Sequence, residues 1–384
     1  IHGSTVTDVR PLMVTSMNQR TPTFNWTNNV GGADFFHIED RRGRRMFNRA
    51  MRASYLSQGP CLTEVTYEGR LGDGIEHRET VSIARGDDIV RATYRIRLDV
   101  SKTVEFSRFA IFQVAADRYS PTGERAMAIG DESGLLREWR TEWGGNVYRT
   151  EPFEGSGKSV WASLHEAVRR GNHPHGAWAN RGFVIREWKA RLGGKEANPW
   201  LAERGLEQPG GSGSSTLDVL PPPGLVRLEP GDFVEATIEH LVVPQFAKDY
   251  FGPNVALRAA LDEYENTWRM IAREASGKGR DVEMITGKLL RRYPDIRMEA
   301  ADGAAEFRLS GGVGFTPVTF TKLKSHVGGR VAINGVALDQ ATHGSDFWQT
   351  DYDPESRTWS QTFNLPAVEG GKPLHVRFTT ELTP

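Results

Sequence analysis

The sequence predicts an all-β protein. Residues 1–252 read as a large antiparallel sandwich, 253–280 as a connecting amphipathic helix and 281–384 as a small C-terminal β-sandwich. Three observations predict this. Two-residue alternation runs through Asp88–Val114. Val90, Ala92, Tyr94, Ile96, Leu98 and Val100 form one apolar face, and Arg91, Thr93, Arg95 and Arg97 the other. Strand patterns then follow one another to about Ile238 without helices between them, which argues against a βαβ arrangement. One clear helical periodicity appears, and only after Tyr250.

Taken in order, Leu62–Tyr67 and Thr80–Ala84 alternate and are separated by turn-forming Gly72-Asp73-Gly74. Val104–Val114 is apolar on both faces, as a strand between stacked layers should be. Phe183–Leu192 and Gly231–Val243 are two more long strands. Glu196–Pro230 holds Pro209-Gly210-Gly211 and Pro221-Pro222-Pro223, and reads as a long surface excursion. Asn254 caps a helix expected to reach about Ala275, with Leu257, Leu261, Tyr264, Trp268 and Ile271 on one packing face. In the last segment, Asn334-Gly335 marks a two-residue hairpin and Asp353–Ser356 a second turn.

Composition narrows the function. The 384 residues carry 48 basic and 49 acidic side chains, a net charge of −1, which argues against a dedicated nucleic-acid binder. Mean hydropathy is −0.49 and no apolar run is long enough to span a bilayer as a helix, so no membrane partner is expected. The single cysteine, Cys61, permits neither an intrachain disulfide nor a thiolate metal site. The chain begins at Ile1, which predicts that a signal or a preceding domain has been removed upstream. No cofactor is expected. Asp351, Asp353 and Glu355 have the acidity of a structural calcium loop without its full spacing, and read better as an acidic turn.

Aromatic and titratable candidates concentrate between Glu138 and His240. The arginines Arg91, Arg95 and Arg97 form a cationic stripe, either paired across strands or lining a groove for carboxylate or sulfate. His165 and His175 belong to the densest group of titratable side chains and are candidate proton-transfer residues. Glu235, Thr237 and Glu239 share one strand face, with His240 on the apolar face behind them. Trp139, Trp143, Trp178 and Trp188 stand among charged residues, a mixture that suits sugar rings with apolar faces and polar rims.

The strands Asp88–Ile96, Phe106–Gln113 and Gly182–Trp188 resemble the stacked sheets of the galactose-mutarotase-like β-supersandwich, over roughly Val6–Pro244. That resemblance implies a carbohydrate-active protein. The fold serves aldose epimerases, several glycoside hydrolases and the sheet domain of polysaccharide lyases, in which a smaller β domain follows. The expected ligand is a polysaccharide or oligosaccharide, with uronate among the candidate sugars, in a secreted or periplasmic setting. The expected reaction is glycosidic cleavage. Hydrolysis would use two carboxylates, Glu187 and Glu239. Elimination would use His165, His175 or Tyr250 with Arg186 neutralising the uronate. The alternative is a non-catalytic carbohydrate-binding or structural module of a larger secreted protein.

Overall fold

A computed structural model describes residues 12–16, 23–26, 33–85, 89–117, 125–141, 147–166, 179–207, 213–244, 254–300, 302–326, 328–338, 348–368 and 370–380. The fold is all-β and built largely of antiparallel sheets. The largest sheet has ten strands. Across it run Gly134–Thr141, Arg125–Asp131, Trp161–Glu166, Ala179–Leu192, Phe233–Pro244, Val90–Val100, Ile75–Ala84, Leu62–Leu71 and Asn48–Ser57, and Lys195–Glu196 pairs at the end of Ala179–Leu192. A second sheet of five strands lies over its inner face, in the order Phe153–Glu154, Trp200–Glu207, Gly213–Leu220, Arg108–Asp117 and Ala33–Glu39.

The alternation read in Val90–Val100 is realised. Ala92, Tyr94, Ile96, Leu98 and Val100 enter the core between the two sheets, where they meet Phe35, Phe112, Ile129, Phe183 and Leu217. Arg91, Arg95 and Arg97 therefore point to the outer face of the large sheet.

The Glu196–Pro230 excursion is not a loop. Trp200–Glu207 and Gly213–Leu220 pair in register from Trp200↔Leu220 to Glu207↔Gly213 and form the middle of the second sheet. Leu201, Leu217 and Val219 fill the core. Gly213, Ser214 and Ser215 of the glycine- and serine-rich stretch belong to the second of these strands.

The expected single helix is two. Helix α1 (Val255–Ala260) is capped by Asn254, whose Oδ1 accepts the Leu257 N–H at 2.9 Å. Helix α2 (Tyr264–Ala275) follows after a short break. Leu257, Leu261, Tyr264, Trp268 and Ile271 are all buried, against Ile89, Ala128, Trp161, Val184, Leu241 and Val243 of the large sheet's outer face and Val313 of the C-terminal strands. Trp161 and Trp268 stack at 5.8 Å with an interplanar angle of 18°.

Residues 280–379 build two five-stranded sheets around a separate core that includes Phe307, Phe320, Phe363 and Phe378. Asn334 and Gly335 both take positive φ, 53° and 83°, in the two-residue turn that the dipeptide signals. Asp353 closes the other turn by accepting the Glu355 N–H and the Ser356 hydroxyl. This sandwich lies against the large sheet. Gln349 Oε1 accepts the N–H groups of Cys61 and Leu62 at 2.9 and 2.8 Å, and its Nε2 donates to the Leu62 carbonyl at 2.9 Å.

Candidate functional site

Two adjoining cavities, of about 640 and 780 Å³, run along the seam between the outer face of the large sheet and the C-terminal sandwich. Both are lined by Arg95, Glu187, Thr237 and Arg291, so they form one groove. Its geometry follows from the strands beneath. Val90–Val100 and Phe233–Pro244 are adjacent and antiparallel, with Arg95↔Thr237 and Arg97↔Glu235 opposed. Glu187 is brought beside Thr237 by the next strand, and accepts its hydroxyl at 3.0 Å.

A bulge decides what Ala179–Leu192 contributes. Pairing steps from Ile185↔Ile238 to Glu187↔Thr237, leaving Arg186 unopposed. Ile185 is in the core, so Arg186 and Glu187 both face outward as consecutive residues.

Beneath the groove are two clusters of charge. The deeper one holds Arg91, Arg186 and Arg280 around Glu239 and Glu274. Glu239 is fully buried. Its Oε1 accepts Arg91 Nε at 2.5 Å and its Oε2 accepts Arg186 Nε at 2.8 Å and Nη2 at 2.6 Å. Glu274 Oε1 accepts Arg91 Nη2 and Arg186 Nη2, both at 2.9 Å, and lies 3.1 Å from Arg280 Nη2. Its Oε2 accepts the Val313 N–H at 2.8 Å. The Tyr293 ring lies over the Arg186 guanidinium, 3.3 Å from its carbon, and the Tyr293 oxygen accepts the Thr93 hydroxyl at 2.8 Å.

The shallower cluster repeats the stoichiometry. Arg95, Arg291 and Arg297 surround Glu64 and Asp295. Glu64 Oε2 accepts Arg95 Nη2 at 2.9 Å, Arg291 Nη2 at 3.2 Å and the Ser82 hydroxyl at 2.6 Å. Asp295 accepts Arg291 Nε at 2.7 Å, Arg297 Nε at 3.2 Å and the Thr319 hydroxyl at 2.5 Å. Glu64 and Asp295 are both buried, so the carboxylates act as fixed anchors for guanidinium groups that line the cavities.

Electrostatics distinguish the members. Burial pushes the carboxyls of Glu239 and Glu274 up, but the guanidinium groups beside them outweigh it, and both are held below the usual range. Arg91 and Arg186 are correspondingly raised by Glu239 and Glu274 against their burial. Arg280 and Arg95 move the other way. Burial lowers both. Arg91 and Arg186 repel Arg280, Arg291 and Arg297 repel Arg95, and the carboxylates at hand only partly compensate. Each cluster is thus one positive charge in excess.

Several sequence expectations change. Arg91, Arg95 and Arg97 are not free cations. Arg91 is sealed in the deep cluster, Arg95 pairs with Glu64, and Arg97 pairs with Asp99 and with Glu235 at 2.6 Å. Glu239 is no general acid or base, because both oxygens are clamped by arginines and its charge is locked. The Glu187–Glu239 hydrolytic pair is therefore not formed, and Glu187 alone is exposed. Trp188 packs on the core and donates Nε1–H to the Ala197 carbonyl at 2.8 Å, and it also lines both cavities of the groove. Trp139 packs on the core too, edge-on to Phe153. His240 is buried as expected of a core residue, yet neither ring nitrogen has a hydrogen-bond partner among the described residues. Burial and nearby Arg181 push it down to about 4. Trp143, Trp178, His175 and Tyr250 lie outside the described residues. So does the side chain of His165, whose backbone pairs with Ala126.

The groove residues that the sequence reading missed include Glu64, Lys158, Glu274, Arg280, Arg291, Arg292, Tyr293 and Arg297, with the anchor Asp295. For Arg291, Arg292, Tyr293 and Asp295 the local signal is the compact run Arg291-Arg292-Tyr293-Pro294-Asp295. Among the described residues no cluster of His, Cys, Asp or Glu is arranged to hold a metal ion, and no helix is long and apolar enough to cross a membrane.

No protein-family model matches the sequence, and no curated protein matches it. Among solved structures, the chain is similar to an alpha-galactosidase from Geobacillus stearothermophilus, with a TM-score of 0.33 and 12% identity over 62% of this chain and 33% of that one. It is similar to an assigned aldose 1-epimerase from Escherichia coli K12, with a TM-score of 0.28 and 13% identity over 56% of this chain and 80% of the other. A polysaccharide lyase aligns over 96% of this chain and 39% of its own, with a TM-score of 0.22 and 10% identity. The chain spans about a third of the galactosidase's length.

Proposed function

We propose that the protein binds an acidic polysaccharide along the groove between the large sheet and the C-terminal sandwich. One observation carries this reading. The smaller cavity is lined by six cationic side chains against three carboxylates, and the larger by six against two. Glu64 and Asp295 neutralise part of that charge while fixing its geometry, so the groove offers oriented guanidinium groups in excess. Guanidinium forks suit carboxylate and sulfate, and a groove that runs along a seam suits a chain ligand better than a compact one. The ligand class agrees with the carbohydrate-active resemblance of the sheets.

Binding without cleavage is the reading favoured here. Among the described residues the exposed carboxylate in the groove, Glu187, has no second free carboxylate opposite it, since Glu64, Glu235, Glu239 and Glu274 all pair with arginines.

The test is titration calorimetry with polygalacturonate, heparin and neutral dextran at low and high salt. Screening at a Debye length of about 8 Å weakens exposed pairs as salt rises, so affinity for the acidic polymers should fall with salt. Lys158 and Arg292 line the groove, are exposed and pair with no carboxylate among the described residues. The double variant Lys158→Gln/Arg292→Gln should fold normally and bind more weakly with a flatter salt dependence. Dextran binding equal to that of the acidic polymers would end this reading.

A further inference from the structure

The outer face of the second sheet carries a polar site unrelated to the groove, from which it is separated by the whole sandwich core. Asp218, fully buried, is its anchor. It accepts Arg108 Nη2 at 2.8 Å, Gln113 Nε2 at 2.8 Å and the Tyr148 hydroxyl at 3.1 Å. Arg108 Nη1 also reaches Glu39 at 3.3 Å. These bonds fix Arg108 and Tyr148 at the edge of a cavity of about 370 Å³, whose wall continues through Phe106, Pro222 and Arg204.

Arg204 is the odd member. It is half-buried, projects from the strand next to Gly213–Leu220, and pairs with no carboxylate among the described residues. Asp218 and Glu39 are already committed to Arg108. Burial and the charge of Arg108 lower the proton affinity of Arg204. Asp218 and Glu39 offset this only in part, so a cation beside an aromatic ring and a rigid proline wall has no carboxylate in direct contact among the described residues.

We propose that this cavity binds a small ring-bearing monocarboxylate, with its carboxylate on Arg204 and its ring against Tyr148 and Pro222. An anion there relieves the repulsion between Arg204 and Arg108. The ring covers apolar surface that the tyrosine and proline otherwise leave open. Sugar acids and aromatic acids share this chemistry.

The experiment is saturation-transfer NMR and calorimetric titration of the full chain with glucuronate, benzoate and acetate. Three variants accompany it: Arg204→Gln, Arg204→Lys and the groove control Lys158→Gln/Arg292→Gln. Because Arg204 makes no direct ion pair among the described residues, both of its variants should keep the native near-ultraviolet circular dichroism. Binding of glucuronate or benzoate should weaken about tenfold or more in Arg204→Gln, the loss expected for a charged hydrogen bond. It should recover partly in Arg204→Lys and stay unchanged in the groove control. Preference for glucuronate assigns a sugar acid, and preference for benzoate an aromatic one. The proposal is overturned by absence of binding, by equal binding to Arg204→Gln, by equal loss in the groove control, or by acetate binding as tightly as the ring compounds.

Discussion

Replacing Glu274 by glutamine keeps the shape of the buried cluster and removes one of its two negative charges. Glu274 Oε1 takes hydrogen bonds from Arg91 and Arg186 at 2.9 Å and an ion pair from Arg280 at 3.1 Å, while Oε2 takes the Val313 N–H. In Glu274→Gln three buried guanidinium groups would share one carboxylate, Glu239. The new amide would also point donors at donors. Hydrogen bonds to charged groups contribute about 1.5–3 kcal/mol each, and the glutamine carbonyl retains part of that. Removing one partner of a buried ion pair costs about 3–5 kcal/mol, which is the expected loss here. Urea unfolding followed by tryptophan fluorescence is the direct assay. Trp268 lies on the same helix and stacks on Trp161 of the large sheet, so its emission reports helix undocking. Glu187→Gln, at an exposed position of the same groove, should stay within about 0.5 kcal/mol of the parent. A loss below about 1 kcal/mol in Glu274→Gln would refute the reasoning, because the cluster would then be hydrated or rearranged in solution.

Acidification should destabilise the protein in two ranges. His240 is held neutral, down to about 4 against an ordinary 6.5, so the unfolded chain binds the proton first as pH falls. Stability should drop between about pH 6.5 and 4 by on the order of 3 kcal/mol, and His240→Phe should flatten that range in pH-dependent urea midpoints. Glu239 and Glu274 are depressed from 4.5, so their contribution is complete above pH 4.5 and erodes only below it. Gln349→Ala should cost about 2–3 kcal/mol and expose the junction between the C-terminal sandwich and Cys61–Leu62 to limited proteolysis. At Gly182 an added Cβ would stand 2.0 Å from the Ala162 carbonyl oxygen. Gly182→Ala should therefore lower the thermal midpoint by an amount equivalent to about 3 kcal/mol.

Local pattern carried the fold further than the site. The alternation of Val90–Val100 reported which face each arginine takes, because strand period alone decides that. It did not report their partners. Glu64 and Glu239 belong to other strands, Glu274 to helix α2 and Asp295 to the C-terminal sandwich, so pairing became visible only with the tertiary contacts. Trp200–Glu207 escaped notice because Glu203, Arg204 and Gly205 are weak strand formers, and the adjoining glycine-serine run imitates a linker. Register with Gly213–Leu220 overrides both. The tryptophans misled for a related reason. Their immediate charged neighbours lie on the opposite strand face, while both indoles pack on the core, Trp139 beneath the Arg137 guanidinium and Trp188 at the wall of both cavities.

The bulge at Arg186 has a genetic consequence. Ile185 and Glu187 pair with the successive residues Ile238 and Thr237, so Arg186 is supernumerary to the ladder. Deleting its codon would close the pairing and leave each remaining side chain of the strand on its present face. The large sheet can thus gain or lose a guanidinium of the deep cluster through a single in-frame insertion or deletion, with no compensating change in the core. Homologous chains that differ in charge at the seam are expected to differ first in length at this position.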